Sequence, residues 1–366
     1  MIEPSDRVAP MGVLVIGAGE RVQNNFLPVL TLLARSNSVR VVGVHSRTAE
    51  RLFPVTERWN VPAVTHLESV DFDAVDVVAI SVPPAQNGPV LESLLPYATG
   101  LSIVIDTPVA WGWRELAITA QLLSKFRRVL VAEDYMNFPP FALMRRAVMG
   151  GLIGNVGGVT LNNVGYLYHG LALIRSFCGF ERARYTWSRR VGTLGEVTGY
   201  TFKGGFRAMV VGPYRSHRTG GITIEGSKGI LTDFASDEAF ANPGSSPIYV
   251  MNYERSQDGA IRHISLNEAG KEASTHYAMD LPELIAMQAM DFPDKSDLNM
   301  LRGCGLLNIF QAFREPGNIN NFYGPANAFY DSFASRLAQR GWLPMDPLVW
   351  FGSDCVALLR TLARFG

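Results

Sequence analysis

The stretch GVLVIGAGERV, from Gly12 to Val22, restricts the fold more than any other part of the chain. Val13-Leu14-Val15-Ile16 is a short apolar run that reads as a buried strand, and Gly17-Ala18-Gly19 follows it at once. Beyond the glycines, Phe26, Val29, Leu30 and Leu33 recur at helical spacing. Strand, glycine turn and helix in that order open a doubly wound α/β sheet. The turn has the form G-x-G-x-x-[G/A], with Val22 in the third place. The first glycine permits the tight turn, and the second lets a pyrophosphate approach the backbone and rest on the helix N-terminus. Gly17, Ala18, Gly19, Glu20 and Arg21 are therefore the expected dinucleotide-binding residues. Val22 is larger than the third place normally carries, and a glycine turn that only joins strand to helix is the plainer alternative.

The pattern repeats through the N-terminal third. Val39 to Val44, Asp76 to Val82, Leu101 to Ile105 and Arg128 to Ala132 read as further strands, with helical patterns such as Trp113 to Phe126 between them. Such alternation predicts a parallel sheet wrapped by helices on both faces. After Gly150 the texture changes to alternating and β-branched runs with glycine turns, from Val156 to Asp233, interrupted by a helix near Leu171 to Phe177. From Leu281 the pattern is helical again, and Asp346-Pro347 opens a final helix over 346–365. The expected architecture is α/β throughout. A dinucleotide-binding domain covers 11–135, and a C-terminal α/β domain with a mainly antiparallel sheet covers 136–366. The final helix is expected to pack back on the first domain. A chain of 366 residues has room for two such cores.

Lysine plus arginine and aspartate plus glutamate both number 33, so the formal charge is zero and argues for neither a nucleic-acid nor a membrane partner. No segment approaches the ~20 apolar residues that span a bilayer. Cys178, Cys304 and Cys355 are far apart and odd in number, which gives neither a disulfide framework nor a metal spacing, and the histidines are scattered. No metal is expected. With a polar MIEPSDRVAP start, the reading is cytoplasmic. At the end of the second strand stand His45-Ser46-Arg47. A hydroxyl and a guanidinium without a carboxylate suit a 2′-phosphate, so Ser46 and Arg47 favour NADP over NAD.

On these residues the chain resembles the Gfo/Idh/MocA family of NAD(P)-dependent oxidoreductases. The resemblance rests on VLVIGAGE, VVGVHSRTAE, VDVVAISVPP, IVIDTPVA, VMGGLIGNVGGV and ITIEGSKGILTDF, in order along the chain. It implies an N-terminal Rossmann domain and a C-terminal α/β domain with an open, mainly antiparallel sheet that often forms the subunit interface, hence a homodimer or homotetramer. IVIDTPVA falls where the family has Glu-Lys-Pro, so Asp106, Thr107 and Pro108 take those places and the lysine is absent. Pro83 and Gln86 lie in the loop that touches the nicotinamide ribose in the family. His169 matches the family's histidine, and Gly165 takes the place of its aspartate.

A threonine hydroxyl is a poor acid and carries no charge, so sugar-alcohol oxidation by a lysine base is not expected. His169 is the best remaining proton donor, with Tyr168, Tyr166 or Tyr135 as phenol donors, and Thr107 as a hydrogen-bonding neighbour. Tyr135, Asn137 and Arg175 are candidate substrate contacts, with pocket or interface packing as the alternative. The segment from Leu281 to Tyr330 is longer and more helical than the resemblance leads one to expect, which suits a pocket cover or an extended interface. The expected function is hydride transfer between NADP and a small imine, enone or carbonyl in specialised biosynthesis. A redox-neutral cofactor-using enzyme and a non-catalytic regulator or partner subunit stay open beside it.

Overall fold

The computed structural model describes residues 9–110, 112–165, 168–191, 195–212, 220–233, 246–271, 275–290, 294–314, 323–339 and 343–344. The chain divides into two compact units. The first runs to Ala132 and takes in Ala286–Pro325; the second comprises Glu133–Ile285 and the stretch from Ala326. The boundary thus lies three residues before the expected one, and forty residues from late in the chain return to the first unit.

In the first unit the apolar runs form β1 (Met11–Ile16), β2 (Val39–His45), β3 (Ala63–Val64), β4 (Val77–Ile80), β5 (Ser102–Asp106) and β6 (Arg128–Ala132). All pair in parallel, in the order β3-β2-β1-β4-β5-β6. The order reverses between β1 and β4, which makes the carboxyl ends of these two strands the switch point where ligands of such sheets bind. Helices α1 (Leu27–Arg35), α2 (Ala49–Trp59), α3 (Asn87–Leu94) and α4 (Trp113–Leu123) connect the strands. Val13, Leu14, Val15, Val78, Ala79 and Val104 have no exposed surface, as strands covered on both faces require.

Two later helices, α5 (Pro139–Met149) and α6 (Tyr168–Ser176), belong to the second unit. Among the described residues its sheet consists of β7 (Val156–Asn162), β8 (Ala183–Val191), β9 (Gly195–Phe202), β10 (Arg207–Gly212), β11 (Gly221–Gly226), β12 (Ile230–Thr232), β13 (Ile248–Arg255), β14 (Ile261–Glu268), β15 (Thr275–Asp280) and β16 (Leu343–Pro344). The order is β15-β14-β13-β12-β11-β7-β10-β9-β8-β16, antiparallel except for β7 with β10 and β12 with β13. One face buries Leu161, Tyr200, Phe202, Ile222, Ile224, Leu231, Ile264 and Leu266. On that face α5 packs against β14 and β15, and Gly170 of α6 sits against Leu161.

Three further helices follow: α7 (Pro282–Gln288), α8 (Asp297–Arg314) and α9 (Pro325–Gln339). α8 packs against α1 and completes the first unit's core. Phe310, fully buried, meets Phe26 edge-on at 6.1 Å. The Arg128 guanidinium donates to the Ala312 carbonyl at 3.1 Å and lies over the Phe313 ring at 4.8 Å. Tyr323 closes the sheet edge, its carbonyl accepting from the Val131 N–H at 3.0 Å. The final helix expected over 346–365 lies outside the described residues.

Candidate functional site

β1 ends at Ile16, and the chain turns at Gly17 with φ +126°. A Cβ there would stand 2.1 Å from the Ser81 carbonyl oxygen, which follows β4, so sterics and backbone conformation both demand glycine. Gly19 is different. A Cβ added there would meet nothing within 4 Å, so the backbone borders open space. The Gly19 carbonyl accepts from Val22 N–H at 3.0 Å and Gln23 N–H at 3.1 Å, starting a helical turn that continues into α1. That turn, Val22–Phe26, is a wider π turn, and it coincides with the oversized third residue, Val22, which is fully buried. The helix begins at Glu20, so the residue before it is Gly19, which has no side chain to cap the first N–H groups. Open backbone, an uncapped helix end and the positive pole of the helix dipole are what a pyrophosphate requires, so these residues fit a dinucleotide.

The neighbouring strand ends are tied together. Asp106, at the end of β5, accepts from Arg21 Nε at 3.3 Å and from Ser81 Oγ at 2.8 Å. Arg21 also donates to Asn25 Oδ1 at 2.9 Å. Thr107 and Pro108 follow, both half-buried and joined by a cis peptide. The buried Asn87 side chain then holds the next turn by donating to the Val109 carbonyl at 2.8 Å. At the end of β2, Ser46 is half-buried and accepts from the Thr48 N–H at 3.3 Å, and Arg47 is exposed. Pro83 is exposed and Gln86 half-buried, on either side of a short turn that leads into α3.

The second unit builds its own cluster. Glu133 is the first residue after β6, and its side chain has no exposed surface. Both of its carboxylate oxygens lie 2.8 Å from His169 Nδ1. Oε1 also accepts from the Tyr135 N–H at 3.3 Å. The Tyr135 ring stacks on the imidazole at 5.4 Å, and the buried Tyr168 ring lies 4.2 Å from it. His169 itself keeps 17% of its side chain exposed. It stands in the first turn of α6, which begins before the expected Leu171. Gly165 permits this entry: its φ is +73°, and a Cβ would fall 2.7 Å from the Gly170 Cα. No aspartate could stand at that position without moving the helix.

Several expected contacts are placed elsewhere. Arg175 is 1% exposed and fully engaged inside the second unit. Its guanidinium donates to Asp331 Oδ1 at 2.7 Å, Asn327 Oδ1 at 3.0 Å and the carbonyls of Glu181 and Phe180 at 2.8 and 2.5 Å. It also lies over the Tyr330 ring at 4.4 Å. These bonds fasten α6 to α9, which fits the packing alternative for Arg175. Asn137 is buried too, donating to the Glu133 carbonyl at 3.1 Å within the turn before α5. Tyr166 lies outside the described residues. Among the described residues no cluster of three metal-ligating side chains occurs, and no helix is long and apolar enough to cross a membrane. Sequence reasoning missed Glu133; its only signal was an acid directly after a buried strand.

Residues 11–133 match the Gfo/Idh/MocA oxidoreductase family, described as an NAD-binding Rossmann fold. The parallel six-stranded sheet of the first unit lies within these matched residues. All of the glycine-turn residues, Ser46, Arg47, Pro83, Gln86 and Asp106 to Pro108 fall inside the match, and Glu133 is its last residue. No curated protein matches the chain in sequence. Solved structures share the fold at low identity. Levoglucosan dehydrogenase, in complex with NADH and levoglucosan, has a TM-score of 0.64 at 14% identity, over 92% of this chain and 100% of its own. An oxidoreductase from Agrobacterium radiobacter, in complex with NAD+, L-tartaric acid and magnesium, has a TM-score of 0.65 at 10% identity, over 92% and 99%. GenD2 from gentamicin A biosynthesis, in complex with NAD, has a TM-score of 0.61 at 13% identity, over 94% and 99%.

Proposed function

We propose that the chain is an NAD(P)-dependent oxidoreductase that moves hydride to or from a small organic substrate without a catalytic lysine. The observation that carries this reading is the glycine turn: Gly17 is sterically obligatory, and Gly19 opens onto free space at an uncapped helix start. The bound nicotinamide would supply or accept the hydride. Gly17 to Arg21 would hold its pyrophosphate, with Arg21 itself held by Asp106. Ser46 and Arg47, with no acid beside them, favour NADP over NAD. Pro83 and Gln86 would border the ribose, and Thr107 and Pro108 would complete the floor of the site.

In the absence of an ammonium at Thr107, the proton-handling group is His169, with Tyr168 and Tyr135 stacked around it. An imine, enone or carbonyl is the substrate class that such a group serves. The ligands of the similar structures, an anhydrosugar and a hydroxy acid among them, are consistent with a small polar molecule, and GenD2 supports a role in specialised biosynthesis. The outer face of the second unit's sheet presents Tyr185, Trp187 and Met209 in exposed positions, which supports self-association through that sheet.

Titration with NADPH and NADH, followed by nicotinamide fluorescence, tests the reading. Saturable binding is expected, tighter for NADPH; binding of neither would end it. NADPH consumption is then followed with 2-methyl-1-pyrroline, 2-cyclohexenone and L-sorbose as probes, for the wild type and His169→Ala. Binding without hydride loss to any probe would favour the redox-neutral or non-catalytic alternatives.

A further inference from the structure

We infer that Glu133 is a positioning residue for His169: it holds the imidazole proton on Nδ1 and leaves Nε2 as the nitrogen that exchanges protons. The inference rests on the reading of His169 as the proton-handling group. An ionised carboxylate has only acceptors to offer. With both oxygens 2.8 Å from Nδ1, that nitrogen must be the donor. The tautomer is then fixed, because a neutral imidazole carries one N–H, and Nε2 holds the free lone pair.

The ring is held in other ways as well. Oε1 receives the Tyr135 N–H, and the turn that supplies this N–H also supplies the ring stacked on His169. Asn137 fastens the same turn to the Glu133 carbonyl. The imidazole can therefore neither flip nor slide without breaking contacts to Glu133 or Tyr135. The neighbouring helix entry has no room for a side chain at Gly165, so the carboxylate reaches His169 from Glu133, 36 residues earlier in the chain.

The test is nitrogen NMR on the full chain without ligand, labelled with 15N-histidine, with His169 assigned by its loss in His169→Gln. At a pH where the ring is neutral, the wild type is expected to show Nδ1 with an attached proton and Nε2 with a lone pair. In Glu133→Gln the amide offers a donor as well as an acceptor. The Nδ1–H population is then expected to fall from nearly all of the protein to less than half. Glu133→Asp, which withdraws the carboxylate by one methylene, gives a second variant with the charge kept and the same direction of change. A wild-type His169 protonated on Nε2, or a tautomer unmoved in the folded variants, would overturn the inference; a purely structural role for Glu133 predicts the latter. Turnover retained in His169→Ala, with the Nδ1–H signal intact in the wild type, would instead sink the catalytic reading and leave only the tautomer held by Glu133 standing.

Discussion

Gly17 and Gly19 are two residues apart in one turn, yet alanine at each should do opposite things. At Gly17 a Cβ would sit 2.1 Å from the Ser81 carbonyl oxygen, a backbone atom that cannot rotate away, and φ is +126°. The backbone conformation alone costs on the order of 1–2 kcal/mol for an L side chain, and relieving the contact requires separating the ends of β1 and β4. Gly17→Ala should therefore destabilise the protein by about 2 kcal/mol or more. At Gly19 a Cβ meets nothing within 4 Å, and φ lies outside the left-handed region. Gly19→Ala should leave stability unchanged or raise it by about 0.4–1 kcal/mol, because alanine lowers the entropy of the unfolded chain. The methyl group would, however, occupy the space that a pyrophosphate must enter. The dissociation constant for NADPH should rise at least about tenfold, equivalent to about 1.4 kcal/mol. Urea unfolding and nicotinamide fluorescence titration of the two variants separate these effects. If Gly19→Ala binds NADPH and NADH as the wild type does, the open space beside Gly19 is not the phosphate site. If Gly17→Ala is as stable as the wild type, the steric argument fails.

Other substitutions probe separate features. Arg47→Ala should weaken NADPH binding about tenfold and leave NADH unaffected; equal effects on both cofactors would remove the 2′-phosphate assignment. Arg175→Ala leaves the Asp331 carboxylate, which has no exposed surface, without its guanidinium, and should cost about 3–5 kcal/mol in urea unfolding. A loss below 1 kcal/mol would mean that the ion pair does not fasten α6 to α9. Burial pushes the Asp233 carboxyl up to about 6, against the Ile222 N–H that it accepts at 2.6 Å. The folded state then binds the proton more tightly than the unfolded one, so this group's contribution is complete below about pH 4 and is lost as the pH rises through about 6. Unfolding of Asp233→Asn should lack that decline, and identical pH profiles would refute the assignment. Burial also raises the Cys178 thiol to about 12, so iodoacetamide at pH 8 should leave it unmodified in the native protein and label it in urea.

What could be read in the sequence was set by local patterns. Val13 to Ile16, Val77 to Ile80 and Ile103 to Ile105 are continuous apolar runs, and each became a central strand because a sheet covered on both faces needs no polar alternation. Gly17 was legible because a strand-to-helix turn at that place restricts its residue types. The burial of Arg175 was foreshadowed by its setting, LALIRSF, which is mostly apolar, as suits a helix buried on most sides. Glu133 was not legible as a partner of His169: nothing local links residues 36 apart, and only the helix entry at Gly165 and the turn at Tyr135 bring them together. The destination of α8 was hidden for the same reason, since its apolar residues fit an interface as well as they fit the surface of α1.

That late return of α8 has a consequence for synthesis. When the ribosome has released Ala132, all six strands of the Rossmann sheet exist, but Phe26 and Val29 still lack Phe310 and Gly303, and the β6 edge lacks Tyr323. The nascent domain must wait for almost two hundred further residues with an apolar helix face and an unpaired strand edge open to water. A fragment cut at Ala132, though it ends at a natural sheet boundary, is an unfinished domain and a candidate for chaperone capture.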